Sequence, residues 1–166
     1  LNEERLASIP KEDFIISSNF DEINNLCDTV FICTPTSHHQ EALALIIKGN
    51  SNRIYLEKPL ASDLNGLRRF YEMDASSRIN KKISIGYMLR FHPVVSKLKT
   101  IINSKILGKI LHAKAESGFY LPYWHPHEDY RSFYMSSRAQ GGGVLLDTSH
   151  EIDYLTWLLG DIDSVY

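Results

Sequence analysis

A chain of 166 residues with 43% hydrophobic and 23% charged side chains has the composition of a folded protein, and it can build one substantial core or parts of two. Its longest apolar run is too short to cross a bilayer, so no membrane role is expected. The formal charge is -2, and the basic pairs Arg68–Arg69 and Lys81–Lys82 are isolated rather than gathered into the stripe that phosphate neutralisation needs, so nucleic acid is not an expected partner.

The first residues, LNEERLASIP, read as the tail of a helix and a loop, and Phe14–Ile16 as a small strand. Asp28 to Cys33 is apolar and β-branched, stops at Thr34-Pro35, and predicts a buried strand. The cysteines, Cys27 and Cys33, are expected as reduced, buried thiols of a cytoplasmic protein. Ser37 with Gln40 three residues on predicts a capping box, followed by the apolar stripe EALALII and the stop Gly49-Asn50. Arg53–Leu56 predicts a second strand ending at Glu57-Lys58-Pro59. Ser62 or Asp63 opens a helix to about Met73, and Lys82–Tyr87 makes a third strand.

Strands alternating with helices, without room for hairpins, imply a parallel sheet with helical crossovers. Functional groups in such sheets lie past the carboxyl ends of the strands, so Thr34-Pro35, Glu57-Lys58-Pro59 and the segment from Tyr87 point at one crevice. Beyond Arg90 the pattern changes. Pro93 opens a helix that Gly108 ends, Ile110–Glu116 alternates like a half-exposed strand, and an aromatic loop fills 117–140. A last helix is expected over 143–159, with Leu145, Ile152, Leu155 and Leu159 held against a sheet and Asp147, His150, Glu151 and Tyr154 on the opposite face. A domain boundary is therefore expected between residues 92 and 93. A new strand is expected to begin at Asp163–Tyr166, and an open sheet without its first edge element points to further sequence at both ends.

The dinucleotide fingerprint GxGxxG is absent, and Gly141-Gly142-Gly143 stands in the wrong context for it, suiting a close backbone approach instead. Residues 1–166 alone are thus expected to bind a dinucleotide weakly and to be inactive. Lys58, at the end of a buried strand, can stabilise an alkoxide in the crevice; the alternative is a structural pair with Glu57. His150 can accept a hydroxyl proton with Asp147 to orient it, or the two can be a capping or surface pair. His125, His127 and Asp129 form an HxHxD string that could hold zinc in a hydrolase, with Pro126 and the nearby aromatics fitting a substrate loop as well. A non-catalytic ligand-binding module is the remaining alternative.

The segments VFICTPTSHHQEAL, YLEKPLA, GYMLRFHP, LGKI and GGGVLLDTSHEIDYLTWLLG, in this order, resemble the Gfo/Idh/MocA oxidoreductase family of glucose-fructose oxidoreductase and inositol dehydrogenase. The resemblance implies part of a parallel Rossmann sheet over residues 1–92, lacking the first strand, glycine loop and second strand. Residues 93–166 would then open an α/β domain with a mostly antiparallel sheet. It further implies a homo-oligomeric, NAD- or NADP-dependent dehydrogenase of a sugar or nucleotide-sugar, in a branch resembling surface-polysaccharide enzymes. Lys58 falls on the family's lysine, His150 on its proton-transfer histidine, and Asp153 on the last aspartate of its HxxD string. Thr34, Pro35, Thr36, His39, Glu57 and Pro59 fall on the cofactor side, and Tyr87 and Arg90 on the crossover bordering the substrate. Trp124, His125 and Arg131 are expected to meet the sugar, the alternative being that Trp124 and Tyr130 only pin the loop to the domain. The family's commoner pattern has its aspartate four residues before the histidine, against three for Asp147. That turns a helical side chain by about 100 degrees, so a local backbone adjustment or a changed role for Asp147 is expected.

Overall fold

The computed structural model describes residue 17, residues 19–77 and residues 82–166. The expected helix tail at 1–10 and the small strand Phe14–Ile16 lie outside the described residues. The first described helix, α1 (Phe20–Leu26), has no counterpart in the sequence reading. Its start is marked by Asn19, whose side chain accepts from Asp21 N at 3.1 Å.

Strands β1 (Thr29–Ile32), β2 (Arg53–Leu56) and β3 (Lys82–Ile85) pair in parallel in the order β1-β2-β3. Helix α2 (His39–Ile46) crosses from β1 to β2, and α3 (Leu64–Ser77) from β2 to β3. Leu43, Ile54 and Leu56 are essentially inaccessible and, with Ile32, Ala42 and Ile46, form the core between α2 and the sheet. Asn24 is buried behind it, donating to the Leu45 and Ile46 carbonyls and accepting from Ser51 Oγ, so one side chain satisfies the C-terminal turn of α2.

Local chemistry departs from expectation at three points. The capping box does not form. The chain enters α2 through a 3-10 turn, Thr36–His38, preceded by Pro35, which has no side-chain acceptor, and Gln40 turns away to donate to Leu60 O at 2.8 Å. Asp63, by contrast, caps α3 as expected, its carboxylate accepting from Gly66 N at 2.7 Å. Cys27 and Cys33 are free but exposed rather than buried, because β1 buries only its last residue fully.

After β3 a 3-10 turn, Met88–Phe91, leads into α4 (Pro93–Asn103), which ends earlier than Gly108. Lys105 takes a positive φ of 58° just beyond it. The expected strand Ile110–Glu116 does not form: the segment finds no ladder among the described residues, and Leu111 is 87% exposed. Its alternation survives, since Lys114 and Glu116 project together and pair at 2.6 Å. Residues 160–166 likewise join no ladder. Among the described residues no helix is long and apolar enough to cross a membrane.

The single helix expected over 143–159 is two. Helix α5 is the short turn Leu121–Trp124; α6 (Val144–Asp147) and α7 (Ser149–Leu159) are separated at Thr148, whose φ of -98° and ψ of 26° leave the helical region. The faces also differ from expectation. Leu145, Ile152 and Leu159 are exposed, while Ser149 and Leu158 are buried. No sheet lies under the apolar face of α7 among the described residues; the helix packs on α4 and the 88–91 turn instead.

Candidate functional site

Register determines what meets at the edge of the sheet. Ile32, Leu56 and Ile85 are cross-strand partners, so the three strands end level and their following turns leave from one edge. Glu57 N donates to Ile32 O at 2.9 Å and Gly86 N to Leu56 O at 2.8 Å, carrying the ladder one residue further. The Lys58–Pro59 peptide is cis. His39 is 1% exposed and joins the first two turns, with Nδ1 2.8 Å from Pro59 O and Nε2 2.9 Å from Thr34 O. Its observed partners are main-chain carbonyls, so His39 shapes the crevice wall. Thr36 is buried beside it.

The break at Thr148 supplies the other half. In a continuous helix the Asp147 carbonyl would accept from Glu151 N, but that N–H goes to Thr148 O at 3.2 Å. Lys58 Nζ reaches the Asp147 carbonyl instead, at 2.6 Å. The expected pairing of Lys58 with Glu57 takes another form: the Glu57 carboxylate accepts from the Lys58 main-chain N–H at 3.2 Å, leaving the ammonium for the helix break. Gly141, at φ 82°, lays the chain against this turn; a Cβ there would stand 2.7 Å from the Thr36 Cβ. Gly141 and Gly142 thus serve close approach, as expected from their context, whereas a Cβ on Gly143 would meet nothing within 4 Å.

Burial lowers the His150 pKa below 6.5, and the Lys58 ammonium lowers it further, against the opposing charges of Glu151, Asp153 and Glu57. The imidazole is therefore neutral at neutral pH and able to accept a proton. Its Nδ1 is buried and has no hydrogen-bond partner among the described residues, and Tyr87 packs edge-on against the ring at 5.7 Å. Burial raises the Asp147 carboxyl, opposed by Lys58, the Gly143 N–H and a hydrogen bond from Tyr134. Tyr134 itself is pushed up to about 12, by burial first and then by the Asp147 and Glu57 carboxylates. The sequence reading had not singled out Tyr134; it is one aromatic among many in the loop, without a spacing signal to separate it.

Arg90 is brought to the same helix but is already engaged. It makes a bidentate contact with Asp153, Nε to Oδ2 at 2.8 Å and Nη2 to Oδ1 at 2.6 Å. Trp124, His125 and Arg131 meet other loop residues: Trp124 stacks on Phe119 at 4.2 Å, His125 on Phe133 at 4.6 Å, and the Arg131 guanidinium lies over Tyr130 at 4.9 Å. Their described contacts join them to one another's surroundings rather than to Lys58 and His150. Among the described residues no three His, Cys, Asp or Glu side chains gather as a metal site, so the HxHxD string finds no completing ligand there.

Comparison with known proteins agrees with this architecture. Residues 2–86 match the family described as "Oxidoreductase family, NAD-binding Rossmann fold", and residues 95–166 match "GFO/IDH/MocA C-terminal domain". An oxidoreductase of Formosa agariphila is 28% identical over 86% of this chain and 44% of its own. The inositol 2-dehydrogenase/D-chiro-inositol 3-dehydrogenase of Lacticaseibacillus casei is 30% identical over 81% of this chain and 35% of its own. The crystal structure of an NAD-binding protein from Listeria innocua superimposes with a TM-score of 0.70 at 23% identity, covering 99% of this chain and 44% of that one. The chain spans less than half the length of these relatives.

Proposed function

The chain belongs to the GFO/IDH/MocA oxidoreductase family, and from that premise we propose that the complete protein transfers a hydride between a nicotinamide cofactor and a secondary hydroxyl or ketone of a sugar or nucleotide-sugar. The observation that carries the reading is the meeting of a bound ammonium and a neutral, half-buried imidazole at the level ends of three parallel strands. The inositol substrate in the name of the Lacticaseibacillus casei relative supports a polyol or sugar as the substrate class.

In this mechanism His150 takes the hydroxyl proton. Its lowered pKa keeps it unprotonated and so able to accept that proton. Lys58 holds the developing negative oxygen with a charge already oriented by the Asp147 carbonyl, so little reorganisation is needed during reaction. The nicotinamide, when bound, supplies the hydride donor or acceptor. The Thr34-Pro35-Thr36 and Glu57-Lys58-Pro59 turns would hold that group, and His39 keeps them at fixed separation. Tyr87 and Arg90 orient the ring and helix that carry the base. Reduction of a ketone follows the same path in reverse.

The division at residues 92 and 93, with a cofactor domain before it and a substrate domain after it, is supported by the change from strand–helix alternation to helices; the mostly antiparallel sheet of the second domain rests on the family resemblance. The family resemblance supports a cytoplasmic homo-oligomer. Contacts of Trp124, His125 and Arg131 with sugar belong to the same proposal.

Titration of the complete protein with NADH and with NADPH, followed by reduced-nicotinamide fluorescence beside residues 1–166 alone, tests the reading. Binding of one cofactor by the complete protein is expected. Absence of binding by either overturns the dehydrogenase and leaves a non-catalytic module on the same fold.

A further inference from the structure

Helix α7 ends where Gly160 turns the chain away at φ 109°. Gly160 N donates to Thr156 O at 2.9 Å, which leaves the Trp157 and Leu158 carbonyls beyond the helical ladder. Lys99, on α4, reaches both: its ammonium donates to Trp157 O, and to Leu158 O at 3.4 Å, and lies 5.2 Å from the centre of the Trp157 ring. A cation here also meets the negative pole of the helix. Trp157 follows His150 by almost two turns, so the two project from one side of α7 with Asp153 between them. Residues 87–99 grip that side in the same order: Tyr87 against His150, Arg90 on Asp153 and Lys99 on Trp157. Lys58 holds the Asp147 carbonyl just before α7 begins, so an ammonium meets main-chain oxygen at both ends of the helix.

We propose that Lys99 is a positioning residue for proton transfer: by holding the last carbonyls of α7 it stops the helix tilting about the Arg90–Asp153 contact and so keeps His150 beside Lys58. His150 and Trp157 stand on opposite sides of that contact, each about one turn from it, so a tilt that frees the C-terminal end carries the imidazole the other way. The proposal rests on the hydride-transfer reading for its effect on turnover, while the placement of His150 is measured without turnover. The imidazole faces the charges of Lys58, Glu151, Asp153 and Glu57, and the Tyr87 ring from the turn before α4. Burial and then the Lys58 ammonium hold it below 6.5, and a tilt that withdraws it from Lys58 relaxes that depression.

Lys99→Met keeps the length of the side chain and removes the ammonium. In the complete protein the His150 imidazole, assigned by its loss in His150→Asn, is titrated by proton NMR, and in Lys99→Met its pKa rises by about half a pH unit toward 6.5. With it kcat falls about fivefold, the cofactor KM stays within about twofold of the parent, and the acidic limb of kcat/KM moves to higher pH. Lys99→Arg, which keeps the charge and can lie over the Trp157 ring, brings imidazole and kcat back near the parent. Should Lys99→Met not fold, Trp157→Leu, which leaves the carbonyls in place and removes the ring, shifts the imidazole the same way by a smaller amount. An unshifted His150 in whichever variant folds overturns the proposal, as does a loss confined to stability in urea or a shift that Lys99→Arg fails to reverse. A shifted imidazole in a protein that transfers no hydride upholds the grip on α7 and refutes the dehydrogenase reading, and with it the role in turnover.

Discussion

Arg90 and Asp153 join the turn after β3 to helix α7 through two nearly parallel hydrogen bonds of 2.8 and 2.6 Å. Asp153 lies one helical turn after His150, so the contact fixes the rotation of the helix that carries the imidazole. The aspartate is 8% exposed while the arginine is 40% exposed, which discounts the electrostatic share of the pair. Arg90→Ala nevertheless strands a buried carboxylate and should cost about 1–3 kcal/mol in urea unfolding. Arg90→Lys should recover part of that loss but not the two-point orientation, leaving kcat below the parent.

Lys58→Met removes the ammonium and keeps the length of the side chain. In the complete protein kcat should fall about 100- to 1000-fold with cofactor affinity within about threefold of the parent. The acidic limb of kcat/KM should move up, since the positive charge that depresses His150 is gone. Unchanged turnover removes Lys58 from the mechanism.

His150→Asn should lower kcat about 100-fold or more and erase the basic requirement from the pH profile. The same histidine leaves a trace in stability. Its folded pKa is depressed, so as pH falls below 6.5 the unfolded chain binds a proton that the folded protein refuses. The stability it contributes is present above 6.5 and is lost as pH drops through the folded pKa. Urea unfolding between pH 7 and pH 5 should show a shallower decline in His150→Asn than in the parent.

Gly141→Val tests the fit of the loop against the strand-end turn. The residue has φ 82°, unfavourable for a branched side chain, and a Cβ there meets the Thr36 Cβ at 2.7 Å. Destabilisation of about 2 kcal/mol is expected from thermal unfolding. Gly143→Ala, at φ 113° but with open space around the Cβ, should show the backbone strain without the collision.

The parallel sheet was legible because each strand is a short β-branched run ended by a turn signal, information carried within a few residues. That Lys58 comes near Asp147 and His150 follows from the convergence of strand ends in such sheets, although Asp147 and His150 stand on two separate helices. What escaped depends on partners distant in sequence. Helical periodicity runs straight through Thr148, because the lysine that engages the freed Asp147 carbonyl is not visible in the spacing of leucines. The alternation at Ile110–Glu116 predicts a strand that does not form, because a strand also needs a neighbour and none is present among the described residues. Ser37 and Gln40 have the spacing of a capping box, yet Leu60 competes for the glutamine. Arg90 looks available for a ligand in the sequence because its acceptor, Asp153, lies far along the chain.

The acceptor for Lys58 is a peptide oxygen, a group the genetic code cannot delete by replacing one non-proline residue with another. Variation at position 147 can therefore alter the aim of the carbonyl, through whatever grips the side chain, without abolishing the anchor. The tether of Lys58 is thus carried by the shape of a turn rather than by the identity of the side chain at position 147.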